Sequence, residues 1–147
     1  MISDLYSGKL LEAAAAIPPT RRLAGADASA VKASKVCGSE VAVDLILEGD
    51  VVTEFGMEAQ ACALGQASAS IVARNIVGAH AKELYQLRDE MRAMLKEGGP
   101  APQGARWQEL EALVTIRDFP QRHASTLLVF EAVVACLDEL GFNAHKN

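Results

Sequence analysis

Few side chains in this sequence could do chemistry, and two of them are thiols in suggestive places. Cys37 is followed by Gly38 and Ser39, and Cys62 closes a strand-like run just before a helix rich in very small residues, Ala67-Ser68-Ala69-Ser70. The thiolate is the form of cysteine that attacks electrophiles and binds metals. A cysteine at the N-terminal end of a helix meets free amide hydrogens and the positive end of the dipole, and both favour that form. Gly38 permits a sharp bend or a positive φ, which puts Cys37 on an exposed turn between strands. Free cysteines are commonly buried bystanders, so position has to decide.

The elements that must position these thiols begin with a hairpin. From Glu40 to Glu48 the alternation is clean, with Val41, Val43, Leu45 and Leu47 on one face and Glu40, Asp44 and Glu48 largely on the other, the pattern of a half-buried strand. Glu48-Gly49-Asp50 is a tight-turn signal, and Val51 to Met57 is the returning strand. The turn lies almost midway between the two cysteines, so antiparallel pairing brings both to one edge of the sheet. Around the hairpin we expect a first helix from Ser3 or Asp4 to about Ala16, stopped by Pro18-Pro19, then a connector through Arg21-Arg22-Leu23 and a weakly alternating strand from Ala28 to Val36. An amphipathic helix spans roughly His80 to Lys96, with Arg88, Asp89, Arg92 and Lys96 on its wetter side. A loop from Gly98 to Gly104, a short helix through Trp107 and Ile116, and a last helix from near Pro120 to about Leu140, ended by Gly141, complete the chain.

At 147 residues the chain fits one domain, and its 50% hydrophobic and 22% charged residues are ordinary globular composition. A formal net charge of −5 without a basic block argues against a nucleic-acid or anionic-membrane binder. The apolar runs fall short of the ~20 residues that a membrane span needs, and the N-terminus lacks the basic start of a signal peptide. Three cysteines, an odd number, argue against a disulfide framework. The expectation is a soluble, cytoplasmic protein. Cys136, among Val133, Val134 and Leu137, reads as a structural core residue; His80 and His145 read as solvated. His123 reads equally well as a surface residue or a site residue. No nucleophile elbow, phosphate loop or dinucleotide fingerprint is present.

Taken together, Cys37-Gly38-Ser39, the hairpin with Glu48-Gly49-Asp50, and Cys62 followed by Ala67-Ser68-Ala69-Ser70 resemble the U-type iron–sulfur cluster scaffold family, the group of the NifU N-terminal domain, IscU and SufU. The likeness runs from Leu5-Tyr6 to the last helix, and its Ser-Ala-Ser helix and Phe-Pro-x-Arg entry at Phe119 bring it nearer the SufU branch. It implies an α+β domain, 1–147, with a small antiparallel sheet of about three strands packed against several helices. In the family a third cysteine lies six residues after the phenylalanine that opens the last helix; the matching residue here is Ser125, preceded by Ala124. The family's aspartate two residues after the first cysteine is replaced by Ser39.

The resemblance implies a scaffold or carrier, not an enzyme, binding iron or an iron–sulfur cluster transiently through Cys37 and Cys62. A cysteine desulfurase would be its sulfur donor, an apo-protein its acceptor, and a homodimer is possible. Clusters are normally held by four thiolates, with histidine an occasional substitute. His123, Ser39 and Ser125 are therefore weaker candidate metal ligands, the serines because their hydroxyl protons are hard to remove. Two other readings stay open: a zinc-dependent, SufU-like sulfur acceptor, and a metal-free member that keeps the fold as an interaction module.

Overall fold

The computed structural model describes residues 8–18, 21–35 and 38–142. Cys37, His145, and the helix start at Ser3 or Asp4 lie outside the described residues. Helix α1, Gly8–Ala15, precedes the three-stranded antiparallel sheet β1 (Ala28–Ala33), β2 (Glu40–Glu48) and β3 (Val51–Gln60), paired in the order β1-β2-β3. Helices α2 (Ala63–Asn75) and α3 (Ala81–Lys96) follow, then a 3-10 segment, Ala105–Asp118, kinked at Trp107, and helix α4, His123–Glu139. The fold is α+β, with helices packed on one face of the sheet.

The hairpin forms as the alternation predicts. Glu48 pairs with Val51 across Gly49 and Asp50, and Gly49 takes the positive φ, 65°, that a two-residue turn requires. Val41, Val43 and Leu45 are fully buried beneath α4, each contributing about 1.5–3 kcal/mol of burial free energy. The Cys136 thiol of α4 donates to the carbonyl oxygen of Val43 at 3.4 Å, pinning helix to strand.

The opposite face of β2 differs from the expectation. Asp44, read as solvent-facing, is 1% exposed. The connector crosses that face and covers it: Arg22 Nε and Nη2 donate to the Asp44 carboxylate at 2.7 and 2.8 Å, the Leu23 amide donates at 2.9 Å, and the Ser29 hydroxyl donates as well. A Cβ at Gly56 would stand 2.7 Å from Leu23 Cγ and 2.9 Å from the Arg21 carbonyl oxygen, so only glycine lets the connector lie this close. Arg88, also placed on the wet side, is buried between Asp89 and Glu131. The short helix expected around Trp107 is the 3-10 segment, and the last helix is preceded by a separate 3-10 turn, Pro120–Arg122.

Two arginines fasten the 3-10 segment to helix ends. Arg106 donates to the carbonyls of Asn75, Val77 and Gly78 after α2, and Arg117 donates to those of Met94 and Gly99 at the end of α3. Carbonyls at a helix C-terminus have no partner within the helix, and these guanidinium groups supply one.

Candidate functional site

Cys62 occupies the N-cap position of α2, with φ −67° and ψ 174°, and its carbonyl accepts the Gln66 amide at 2.9 Å. Its side chain caps no amide, which leaves the half-buried thiol available to its surroundings. What it meets is Ser125: the thiol donates to the Ser125 hydroxyl oxygen at 3.8 Å, and that hydroxyl donates to the carbonyl of Arg122 at 3.2 Å. The starts of α2 and α4 thus converge.

Small residues make the convergence possible. Gly65, Ala67, Ser68, Ala69 and Ser70 are all buried. A Cβ on Gly65 would stand 2.8 Å from Ala61 Cβ and 3.4 Å from the Ser125 carbonyl oxygen. Gly65 therefore fixes how Ala61 turns into the first turn of α2 beside Cys62, while its contact with α4 is of ordinary van der Waals length, a positioning role that only the run of small residues hints at in the sequence.

The register brings the start of β2 to the same place. Glu40 pairs with Gln60, so the segment Gly38-Ser39 leaves the sheet at the end where Cys62 begins α2. Gly38 has φ 72° and its amide donates to the Ser34 carbonyl; Ser39 is buried and its carbonyl accepts the Ser34 amide. His123 does not share this environment freely. Its ring is buried, and Nε2 lies 3.0 and 3.2 Å from the carbonyl oxygens of Ile116 and Arg117. Two acceptors at one nitrogen require it to carry the proton, so Nε2 is committed to the end of the 3-10 segment and has no lone pair to offer a metal. Among the described residues no three His, Cys, Asp or Glu side chains gather as a metal site. Cys136 is remote in role: burial pushes its thiol up to about 12, as expected of an inert core cysteine.

The chain is 48% identical to the N-terminal part of a nitrogen-fixing NifU-like protein from Brucella abortus, with a TM-score of 0.92 over 95% of this chain and 96% of the other. It belongs to the U-type iron–sulfur cluster scaffold family. A second U-type protein, the iron–sulfur cluster assembly scaffold protein IscU of Thermotoga maritima, is 25% identical over 116 residues, 78% of this chain and 80% of that one. A putative scaffold protein for the SUF system from Fervidobacterium islandicum AW-1 shares the fold, with a TM-score of 0.83 at 18% identity over 92% of this chain and 98% of that one. No family model matches. The contact described above joins Cys62 to Ser125, the residue that the resemblance sets against the third cysteine of the pattern.

Proposed function

We propose that this chain is a scaffold or carrier in iron–sulfur cluster assembly, and that it holds iron or a cluster transiently through Cys37 and Cys62. The observation that carries the reading is the contact of Cys62 with Ser125 at the convergence of two helix starts, in a chain of the scaffold family. The proposal extends to a cysteine desulfurase as sulfur donor and an apo-protein as acceptor, the roles that such a scaffold links. Two thiols per protomer are half of the usual set of four. With His123 Nε2 committed, that ring can offer a metal only Nδ1, and Ser125 is a hard, reluctant donor, so the set is completed by Nδ1, by a second copy or by a small thiol. Zinc faces the same shortage of donors. A half-filled donor set suits cargo that must leave.

Anaerobic reconstitution with iron and sulfide is the test. The native chain should develop sulfur-to-iron charge-transfer absorption, and Cys62→Ser should lose most of it. Absence of that absorption in the native chain, or equal absorption in Cys62→Ser, overturns the proposal. The closed run of hydrogen bonds from Cys62 through Ser125 to the Arg122 carbonyl favours one rival, since it satisfies the site without metal. That metal-free reading requires Cys37→Ala and Cys62→Ala to bind the partner as well as the native chain does.

A further inference from the structure

The two edges of the sheet are treated differently. On β3, Val52 donates to Ala79 and accepts from Gly78, Val51 bridges to His80, and the Met57 amide donates to the Arg21 carbonyl. On β1 no strand pairs with the outer side among the described residues. Ser34 donates to Ser39, in register with the β1–β2 ladder. Alternation therefore turns the amides and carbonyls of Ser29, Val31 and Ala33 away from β2. An edge of this kind is a template for another strand, and Val31, 53% exposed, adds an apolar surface to it.

Behind the same edge lies a groove of roughly 630 Å³ walled by Lys32 and Ala33 of β1, Arg92 and Lys96 of α3, and Leu127 and Glu131 of α4. Arg92 is paired with Glu131 at 2.6 Å. Lys32 and Lys96 have no carboxylate partner among the described residues, and exposed Lys35 follows just after the strand. On a chain of net charge −5, this concentration of unpaired cations beside an open edge selects an anionic occupant. The ladder groups of β1 select a peptide over a nucleic acid, which has no backbone amides and carbonyls in strand register to pair with them.

We propose that the outer edge of β1, with the groove behind it, takes an extended acidic segment of a partner protein as a fourth strand. Backbone hydrogen bonds would supply affinity, and carboxylates on alternate residues, directed to the groove side, would meet Lys32 and Lys96. Ala124 also lines the groove and directly precedes Ser125, so the docked segment would lie beside the start of α4. The inference does not depend on whether Cys62 binds iron.

The probe is a fluorescein-labelled peptide of alternating Glu and Val, six residues long to match β1, titrated by fluorescence anisotropy at low salt. The expected result is binding that weakens roughly tenfold in the double variant Lys32→Glu/Lys96→Glu, and comparably when alternate peptide amides are N-methylated. Amide exchange at Val31 and Ala33 should slow when the unmethylated peptide saturates the native chain. A Lys-Val peptide that binds as tightly, an N-methylated peptide that binds unchanged, or a short single-stranded DNA that displaces the probe at equal concentration would each overturn the proposal. The methylated peptide leaves the protein untouched, so a variant that misfolds cannot decide the outcome.

Discussion

Two thiolates on one tetrahedral metal ion, each ~2.3 Å from it, stand about 3.8 Å apart. Cys62 Sγ and Ser125 Oγ are separated by 3.8 Å. Ser125→Cys should therefore create a metal-ready pair with little rearrangement, and we expect zinc or ferrous affinity to rise roughly tenfold or more, measured by competition with a chromogenic chelator. An unchanged affinity would mean that the spacing is incidental. Native-state alkylation followed by mass mapping should leave Cys136 unmodified until the chain unfolds, because its thiol is buried and held protonated. Asp44 carries a pH dependence of definite sign. Hydrogen bonds from Arg22, followed by those from Ser29 and the Leu23 amide, hold its carboxyl at about 2, below the ordinary 3.8, against the opposing effect of burial. The ionised form thus stabilises the fold above pH about 4, and the contribution is lost as pH falls toward 2. Asp44→Asn should cost about 2 kcal/mol at neutral pH, and the gap between the urea midpoints of the two proteins should close across that window. A gap independent of pH would assign the loss to packing instead.

At the scale of elements, glycines decide how closely layers approach. Gly65→Ala forces Cβ against Ala61 and toward the Ser125 carbonyl, and overpacking of this kind costs about 1–3 kcal/mol. It should lower the thermal midpoint and also weaken metal binding in the Ser125→Cys background, since relieving the contact with Ala61 shifts the backbone that carries Cys62. A Gly65→Ala chain that binds metal as well as its parent would separate this turn from the site. The hairpin was legible because β2 carries an apolar residue at every second position from Val41 to Leu47, and its turn contains Gly-Asp. The burial of Asp44 was not, because period-two patterning reports only the face that a strand turns to the main core. Nothing in the local pattern shows that Arg22, distant in sequence, returns to cover the other face. His123 illustrates the same limit for a site. Its place near the start of the last helix could be read from Phe119-Pro120, but the commitment of Nε2 to two carbonyls depends on where the preceding 3-10 segment ends.

For the molecule as a whole, the α+β fold and the scaffold family were legible through the resemblance carried by Cys37-Gly38-Ser39, the Glu48-Gly49-Asp50 hairpin and Cys62 with its Ser/Ala-rich helix, whereas spacing by itself gave only the hairpin. The contact of Ser125 with Cys62 was foreshadowed only by resemblance, since it joins residues far apart in the chain through two different helices. The two arginine clamps that follow the Gly98–Gly104 loop have one further consequence. Arg117 grips the end of α3 and Arg106 grips the end of α2, so the geometry of the second half of the chain is set by these contacts and not by the length of the linker between them. The exposed end of that linker, Gln103-Gly104, is a natural place to open the polypeptide, because Gly99 is held by Arg117 and Pro102 is buried. Lengthening it by a flexible insert that doubles its span should cost only about 0.6 kcal/mol, leaving room for a reporter domain or a protease site that reads out the state of the scaffold without disturbing it.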